Sequence, residues 1–491
     1  MTMTRSRVLA ILTAAMALVG ALLRLHPETE TDPMWHLMLA RAVLAARSRV
    51  VPEPAALPDF TDPAFVPEWL WGVLMLGAHH VGGWPAVAVL VALVTAATVV
   101  LLARLLDRSE PDASPSAIAG VLGVVLVVVL QRLRARPETA GLLLLPAFML
   151  LALRYREAAG RSRLGLALAL VGVEVVWAQC HGSFVLALPV FAVLAAPARL
   201  ARPVSLTRRT DLATLALLTL GLGTSAYGFG LASYLHSHAL GESKQSIHEM
   251  ARPTLAHLDV LAHGPGLAVY VALWLLCALG LVADARRVPW RWLALGLLGV
   301  PLVATAIRFT TPGVILLAPL AITCVHALGS LLPRGRASSV PGLAVAAASL
   351  VFSTWFTHVH AGPLGRLGLL DSAYPVAAAS FVRGLGPGVR VLSSFDVGGP
   401  FGLWLAGQAR TYVDSRTPLY FDDTDYGVSR EVLRHGPAAL GRGLRRYAAD
   451  ALVVRRAQTC AAAVPADWVP VVIDPLFSTY RPAAAAGPAL T

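Results

Sequence analysis

Carboxylate and imidazole side chains gather in the polar segment that follows the first apolar stretch of the chain. Asp32 and His36 lie one helical turn apart if residues 34–47 form a helix, so both can face one site. Asp62 and Glu68 follow in the same segment. A carboxylate within reach of a hydroxyl can take its proton as a general base. We therefore take Asp32, His36 and Glu68 as candidate catalytic residues and Asp62 as a candidate substrate ligand.

These residues also have structural interpretations. Asp32 stands before Pro33, where it can serve as a helix N-cap. The tryptophans Trp35, Trp69 and Trp71 are typical anchors at a membrane interface. Both interpretations stay open at this point.

Basic residues make a second candidate site. Arg132, Arg134 and Arg136 fall within five residues between two apolar stretches. Guanidinium groups bind phosphate, and the pattern predicts an anion site that Arg308, at the end of a later stretch, is placed to join. The alternative is a solvated basic loop, or a different number of spans.

Two further segments carry polar side chains suited to substrate binding. His181 lies in the segment Trp177-Ala-Gln-Cys-His181-Gly182-Ser-Phe184, although a lone histidine is usually structural. Glu249 lies in a His-rich loop, 227–263, whose His and Glu side chains are of the types that bind a divalent cation (Mg or Mn), although their spacing is not that of an HExxH helix. Glu174 lies inside an apolar stretch and needs a partner, for which Arg134 and Arg308 are candidates.

The composition decides the class of protein. Of 491 residues, 56% are hydrophobic and 14% charged, and the mean hydropathy is +0.67. Several apolar stretches reach the length of about 20 residues that crosses a bilayer. The chain is therefore predicted to be a polytopic α-helical membrane protein. The four cysteines form no CxxC pair and indicate neither a zinc site nor a disulfide framework.

Basic residues near span ends predict the orientation, because such residues stay cytoplasmic. With a cytoplasmic N-terminus, about 11 spans place most arginine-rich gaps inside, while the apolar helix Trp69–Val81 lies in the outer interface. Arg132–Arg136 is the one basic gap outside, which is why it needs another role. The first stretch, Val8–Leu25, is read as a retained span, with a cleaved signal peptide as the alternative. The net charge of +12 follows from this topology, and no nucleic-acid partner is needed to explain it.

Beyond residue 360 the pattern changes to short strands and helices. Strands are predicted at 389–395, 410–413, 451–455 and 469–473, and helices at 428–435 and 438–447. Alternating elements of this kind predict a small α/β domain on the extracytoplasmic side. The predicted division is a transmembrane domain, 1–360, which includes the first outer loop 25–83, and an α/β domain, 361–491.

One reaction fits the outward-facing residues. Arginines bind the phosphate of a lipid-linked donor, and a carboxylate removes the proton of an acceptor hydroxyl as it attacks the anomeric carbon. That chemistry is glycosyl transfer from a polyprenyl-phosphate sugar to a glycan, lipid or protein acceptor. No Gly-rich phosphate loop marks a nucleotide-sugar site on the inner side.

The chain also resembles a bacterial membrane-protein family related to the GT-C glycosyltransferases. The motifs that support the resemblance run in order through the chain and are Asp32-x-x-Trp35-His36-Leu37, Thr61-Asp62-Pro63, Glu68-Trp69-Leu70, Arg136-Pro137-Glu138, Trp177–Phe184, Phe395-Asp396-Val397-Gly398-Gly399 and Val413-Asp414-Ser415-Arg416. The resemblance implies a GT-C-like fold and a first-loop carboxylate, here Asp32, that acts as base or metal ligand. Glu30 stands where the family pattern has a second aspartate.

Two other functions are compatible with the sequence. A transporter or lipid flippase would place ionisable residues within the membrane, and Glu174 is the one candidate. A non-catalytic protein of cell-envelope glycan assembly would work through its C-terminal domain. In each case the expected location is a bacterial cytoplasmic membrane, with the lipid bilayer as a partner.

Overall fold

A computed structural model describes residues 3–52, 64–195, 206–231, 250–331, 340–394, 396–412, 437–456 and 464–485. The described residues form two compact units. The first takes its residues from Met1–His26, Ala86–Ala239 and Gln245–Arg366, and the second from Pro27–Pro85 and Leu367–Thr491. The division into 1–360 and 361–491 stays a prediction.

Helices dominate the described chain. In chain order they are α1 (Arg5–Leu22), α2 (Asp32–Ala46), α3 (Trp69–Ser109), α4 (Pro115–Arg132), α5 (Glu138–Glu157), α6 (Gly160–Ala178), α7 (Ala187–Ala195), α8 (Leu206–Leu222), α9 (Val260–His263), α10 (Gly266–Asp284), α11 (Trp290–Thr305), α12 (Thr310–Gly329), α13 (Val340–Ala361), α14 (Val376–Gly384), α15 (Gly398–Trp404) and α16 (Pro437–Arg446).

The strands are short and most of them lie in the C-terminal part. They are β1 (Val50–Val51), β2 (Ala64–Phe65), β3 (Val389–Ser393), β4 (Ala409–Thr411), β5 (Ala451–Arg455), β6 (Trp468–Ile473) and β7 (Phe477–Pro482).

Within the described residues, seven helical segments have the length and hydropathy of a membrane span. The protein is therefore a multi-pass membrane protein. The seven segments are Arg5–Leu22, Trp69–Ser109, Pro115–Arg132, Glu138–Glu157, Gly266–Arg287, Ile307–Gly329 and Pro341–Ala361. Two shorter apolar segments, Gly182–Ala195 and Trp290–Thr305, add to them. The total of eleven spans stays a prediction.

A break divides α3 at the boundary predicted from the sequence. Gly82 and Gly83 have non-helical backbone angles, and Gly83 has a φ of +64°, which favours glycine. Pro85 follows, and its ring cannot continue the hydrogen-bond ladder. The apolar helix that ends at Val81 and the next predicted span are therefore separate segments, as expected.

Small residues allow close helix packing in the first unit. A Cβ atom on Gly120 of α4 would lie 3.0 Å from the carbonyl oxygen of Gly342 on α13. A Cβ atom on Gly123 would lie 2.9 Å from Ala346 Cα of the same helix. Helices pack by van der Waals contact in lipid, where the hydrophobic effect does not drive them together. Larger side chains at these glycines would force α4 and α13 apart.

The C-terminal part of the second unit holds a five-stranded mixed sheet of order β4-β3-β5-β7-β6. β4, β3 and β5 are parallel, and β7 pairs antiparallel with β5 and β6. Val391, Val453 and Phe401 belong to the apolar core on one face, and Leu392, Leu452 and Leu444 to the core on the other. The sheet therefore has an apolar core on each of its two faces, as an α/β domain requires.

The predicted elements of this part agree with the structure, with shifts at their ends. β3 ends two residues before the predicted end, and the strand 451–455 has the predicted bounds. The predicted helix 428–435 lies outside the described residues. Sequence reasoning missed β7, α14 and α15. α15 is short and contains three glycines and a proline, which gives no helical signal.

Candidate functional site

A buried ion pair occupies the turn between α4 and α5. Arg132, the last residue of α4, donates from Nε and Nη2 to one oxygen of Glu138, at 3.0 and 2.6 Å. Glu138 is the first residue of α5 and only 6% exposed. A carboxylate at a helix N-terminus is stabilised by the backbone dipoles and by the nearby guanidinium. The turn between the two helices is thus fixed by a charge-assisted contact.

Arg308 approaches the same carboxylate from a distant part of the chain. Its Nη2 atom lies 4.0 Å from the Glu138 oxygen that Arg132 also contacts. Both arginine side chains are 20% exposed, whereas that of Glu138 is 8% exposed. Two positive groups therefore share one negative group, and positive charge remains at the exposed side of the cluster. We call Arg132, Glu138, His181 and Arg308 the arginine–glutamate site.

His181 adjoins this site and is held by its own sequence segment. Trp177 donates from its indole nitrogen to Ser183 Oγ at 3.0 Å, and that oxygen lies 2.7 Å from His181 Nδ1. The Ser183 backbone N–H also donates to His181 Nδ1, at 3.2 Å. Because Nδ1 accepts, the neutral ring has its proton on Nε2, an assignment inferred from the hydrogen bonds.

Burial keeps His181 neutral. Burial, with smaller effects from the guanidinium groups of Arg308 and Arg132, lowers the pKa of His181 to about 4, against the opposing effect of Glu138. The imidazole is therefore uncharged at neutral pH, and its Nε2–H is a hydrogen-bond donor.

Gly141 allows the His181 segment to pack on α5. A Cβ atom there would lie 2.6 Å from Ser183 Oγ and 3.0 Å from His181 Nδ1. Gly141 stands one turn after Glu138 on the same helix. The glycine therefore brings the histidine segment beside the carboxylate.

Arg134 and Arg136 lie in the same turn as the ion pair and are half-buried. Arg134 donates from Nε to the Gln131 carbonyl at 2.8 Å, while its own carbonyl accepts from the Thr139 hydroxyl. The turn thus places three arginines within five residues at the start of α5. Substrate binding by Arg134 and Arg136 stays a prediction, and so does substrate binding by His181 and Arg308.

The surroundings of Glu174 differ from those expected from the sequence. Its carboxylate is fully buried on α6, against Gly221 at the end of α8. Neither oxygen has a hydrogen-bond partner among the described residues. The expected pairing with Arg134 or Arg308 is wrong, since Arg308 lies beside Glu138 instead.

The second candidate site lies in the other unit, at the start of α2. Asp32 is the first residue of this helix and Thr31 precedes it, so the N-cap interpretation of Asp32 is wrong. Asp32 is partly exposed, whereas His36 is 5% exposed and stacks on Trp35, with ring centroids 3.5 Å apart. Trp35 is itself buried, as is Trp71, so neither is the interfacial anchor that the sequence suggested.

Glu68 stands just before α3, which packs on α2. A Cβ atom on Gly72 of α3 would lie 3.0 Å from the His36 carbonyl oxygen and 3.3 Å from Ala40 Cβ. The Gly72 backbone N–H donates to the Glu68 carbonyl oxygen at 3.2 Å. The helices that carry Glu68, His36 and Asp32 are therefore in direct contact within one unit.

The remaining predicted site residues, Asp62 and Glu249, lie outside the described residues. The described residues contain no group of three or more His, Cys, Asp or Glu side chains that could hold a metal ion.

Sequence reasoning missed Glu138 and Arg132 as partners. Glu138 appeared only as the end of the Arg136-Pro137-Glu138 motif, and Arg132 only as one of three basic residues. The usable signal was the spacing of six residues across a turn between two apolar stretches, with a carboxylate where a helix begins.

No sequence-family profile matches the chain, and no curated protein sequence is similar to it. Solved structures are similar in fold. The archaeal oligosaccharyltransferase AglB from Archaeoglobus fulgidus, in complex with an inhibitory peptide and a dolichol-phosphate, aligns over 91% of this chain and 69% of its own, with a TM-score of 0.58 and 11% identity. Another structure of that enzyme contains zinc and sulfate.

Two bacterial proteins give similar alignments. ArnT from Cupriavidus metallidurans, bound to undecaprenyl phosphate, aligns over 98% of this chain and 99% of its own, with a TM-score of 0.55 and 15% identity. The arabinofuranosyltransferase AftD from Mycobacteria aligns over 98% of this chain and 40% of its own, with a TM-score of 0.57 and 17% identity. These similarities extend over most of the chain and therefore concern its whole architecture. The chain has the fold of the GT-C glycosyltransferases, as the resemblance of its motifs implied.

Proposed function

We propose that the protein is an integral membrane glycosyltransferase that transfers a sugar from a polyprenyl-phosphate-linked donor to an acceptor on the extracytoplasmic face. The observation on which the proposal rests is the arginine–glutamate site. In this site the guanidinium groups of Arg132 and Arg308 lie beside one buried carboxylate, that of Glu138. The fold is that of enzymes whose solved structures include lipid phosphates.

Anion binding is the role proposed for the arginines. Glu138 fixes the direction of Arg132 and neutralises only part of the positive charge of Arg132 and Arg308. Arg134 and Arg136 add to that charge from the same turn. Guanidinium groups fit phosphate oxygens in a bidentate manner, and a preorganised cluster stabilises charge without rearranging. The neutral His181 would add a hydrogen-bond donor from Nε2.

The proposed chemical step needs one base. The acceptor oxygen forms a bond to the anomeric carbon while the bond between that carbon and the phosphate oxygen breaks. The electron pair stays on the phosphate, and the acceptor proton passes to Asp32. His36 lies on the same helix as Asp32, and Glu68 stands just before α3, which packs on that helix. The arginines oppose the negative charge that develops on the leaving phosphate. Asp62 and Glu249 remain proposed substrate ligands.

Arg24 joins the end of α1 to the arginine-rich turn. Arg24, just past α1, is buried and donates to the Leu133 carbonyl at 3.0 Å, in the turn that holds the three arginines. Asp32 follows Arg24 by eight residues along the chain.

We propose the membrane orientation that the positions of the arginines predict, with the N-terminus in the cytoplasm and residues 361–491 outside the bacterial cytoplasmic membrane.

A transporter is the second candidate, and Glu174 is the observation that favours it. A buried carboxyl group in a predicted span, with no described partner, is typical of ion and proton pathways. Uptake of a labelled solute or lipid into vesicles, with no product formed, would support this candidate over glycosyl transfer.

The decisive experiment measures release of polyprenyl phosphate. Purified protein receives radiolabelled undecaprenyl-phosphate sugars, with a cell-envelope glycolipid extract as the source of acceptor. We expect release by the wild-type protein and a loss of at least about 100-fold in Asp32→Asn and Arg136→Ala. Asp371→Asn and Arg104→Ala, both exposed, are the matched controls. Unchanged release in the first pair would show that the assigned roles are wrong.

A further inference from the structure

The residues just before Asp32 are held by the C-terminal segment within the second unit. The Glu28 backbone N–H donates to the Gly368 carbonyl at 2.8 Å, and the Leu370 N–H donates to the Glu28 carbonyl at 3.1 Å. The two segments therefore pair like neighbouring parallel strands at this point. This contact fixes the backbone four residues before Asp32.

Tyr374 makes the second contact. Its hydroxyl donates to the Glu30 carbonyl oxygen at 2.8 Å, and the side chain is fully buried. Burial, with the nearby carboxylates of Glu28 and Asp32, raises the pKa of Tyr374 above its usual range. The hydroxyl therefore keeps its proton and stays a donor at every pH at which the protein would work.

Gly399 makes the third contact, at the residue directly before Asp32. A Cβ atom on Gly399 would lie 2.8 Å from the Thr31 carbonyl oxygen, a backbone atom that cannot turn away. Gly399 belongs to the Phe395–Gly399 motif, for which the proposed reaction has no role.

The turn that carries Gly399 is itself fixed. Asp396 accepts a hydrogen bond from Ser394 Oγ at 2.8 Å and pairs with Arg455 of β5 at 3.0 Å. The sheet thus holds the start of α15 in place, and α15 holds the segment before α2. Three contacts therefore fall on Glu28, Glu30 and Thr31, the residues that lead into Asp32.

We propose that Tyr374 and Gly399 are positioning residues that fix the direction of the Asp32 carboxylate, so that the C-terminal domain acts in the reaction through the first loop. This inference rests on the proposed function, in which Asp32 is the base. A base displaced by about 1 Å loses about 100-fold in rate, so loose contacts would lower kcat far more than they weaken donor binding.

The experiment uses the full-length protein and the release assay described above, with undecaprenyl-phosphate sugars as donor. Tyr374→Phe removes only the hydroxyl, and Gly399→Ala inserts a methyl group against the Thr31 carbonyl. We expect kcat to fall about tenfold in Tyr374→Phe and about 30-fold or more in Gly399→Ala, with the donor KM within about twofold of wild type. Hydrogen–deuterium exchange of residues 27–35 should become faster in both variants.

The matched controls come from the same unit. Tyr480→Phe changes a tyrosine of β7, and Gly384→Ala changes a glycine that has no atom within 4 Å of a built Cβ. Both should leave kcat and the exchange of residues 27–35 at the wild-type values.

The outcomes separate this inference from the proposed function. If Asp32→Asn abolishes release but Tyr374→Phe and Gly399→Ala keep the wild-type kcat, the positioning role is overturned and the function stands. If Asp32→Asn keeps full release, the proposed base is wrong, and positioning of Asp32 falls with it. Unchanged exchange of residues 27–35 in Gly399→Ala would contradict the contact itself.

Discussion

At the scale of single residues, two buried glutamates in the first unit differ in the partners they have. Glu138 meets two guanidinium groups, whereas Glu174 has no hydrogen-bond partner among the described residues. A buried charge is expensive unless it is paired and hydrogen-bonded, so Glu138 is expected as a carboxylate and Glu174 as the uncharged acid. Replacement by glutamine should therefore destabilise the protein at Glu138 and leave its stability unchanged at Glu174.

Glu138→Gln removes the charge that orients Arg132 and Arg308. We expect a loss of stability of about 3 kcal/mol or more, because two guanidinium groups lose their buried partner, and a release rate at least about tenfold lower. Thermal unfolding and the release assay measure both effects. Glu157→Gln, whose side chain is 61% exposed and paired with Arg108, is the control and should change neither. A stable and fully active Glu138→Gln would contradict the site.

Glu174→Gln keeps the shape and hydrogen-bonding ability of an uncharged acid. We expect its thermal unfolding midpoint and release rate to equal those of the wild type, since no charge is lost from the buried position. A variant that unfolds at a clearly lower temperature at neutral pH would show instead that Glu174 is charged and has a partner.

His181 predicts a pH dependence of stability. Because its pKa in the folded protein is about 4, below the ordinary 6.5, the unfolded chain binds the proton more readily between these values. Its contribution to stability is therefore complete above about pH 6.5 and is lost as the pH falls toward 4. The unfolding midpoint of wild type should fall over that range, and His181→Gln should fall less. An equal fall in both proteins would contradict the buried, neutral histidine.

At the scale of elements, glycines set how closely the helices approach. Gly141→Ala would place a methyl group against Ser183 Oγ and His181 Nδ1, so the histidine segment must move away from α5. We expect a destabilisation of about 1–3 kcal/mol and a lower release rate. Gly165→Ala on α6, where no atom lies within 4 Å of a built Cβ, is the control. Thermal unfolding compares the two, and equal midpoints would contradict the packing described for Gly141.

The elements also show what sequence could and could not predict. Hydropathy located the helices and the end of the apolar helix at Val81, because that signal is local. The strand Ala451–Arg455 was predicted because apolar and β-branched residues mark it. Tertiary contacts were different. The pairing of Arg132 with Glu138 and the missing partner of Glu174 depend on which helices meet, and no local pattern encodes that.

Local sequence patterns also do not encode the tertiary contacts of the second candidate site, which contains Asp32. Asp32 was recognised from its residue type and its place after the first span. Its contacts through Thr31 and Glu30 with Gly399 and Tyr374 join residues more than 340 positions apart, and sequence spacing alone does not predict such contacts. Short motifs flagged both regions, but only the fold shows that they touch.

At the scale of the whole molecule, the predicted topology assigns each loop to a side. Exposed residues allow a direct check, namely Arg104 for the inside and Leu261 and Asp371 for the outside. A membrane-impermeant maleimide should label Leu261→Cys and Asp371→Cys in intact spheroplasts, and Arg104→Cys only after permeabilisation. The native cysteines Cys180, Cys277 and Cys324 are buried and should react little, and the fourth, Cys460, is replaced by serine in every variant. Labelling of Arg104→Cys in intact spheroplasts would reverse the orientation.

We propose that the Asp32 segment and the arginine-rich turn act on one donor headgroup. The most direct measurement is photocrosslinking of the membrane-embedded protein with an undecaprenyl-phosphate sugar that carries a diazirine on its sugar, followed by peptide mapping. We expect crosslinks both to residues near Asp32 and to residues 131–138, and excess unlabelled undecaprenyl phosphate should suppress each of them. Crosslinks to only one of these segments, or to neither, would contradict it.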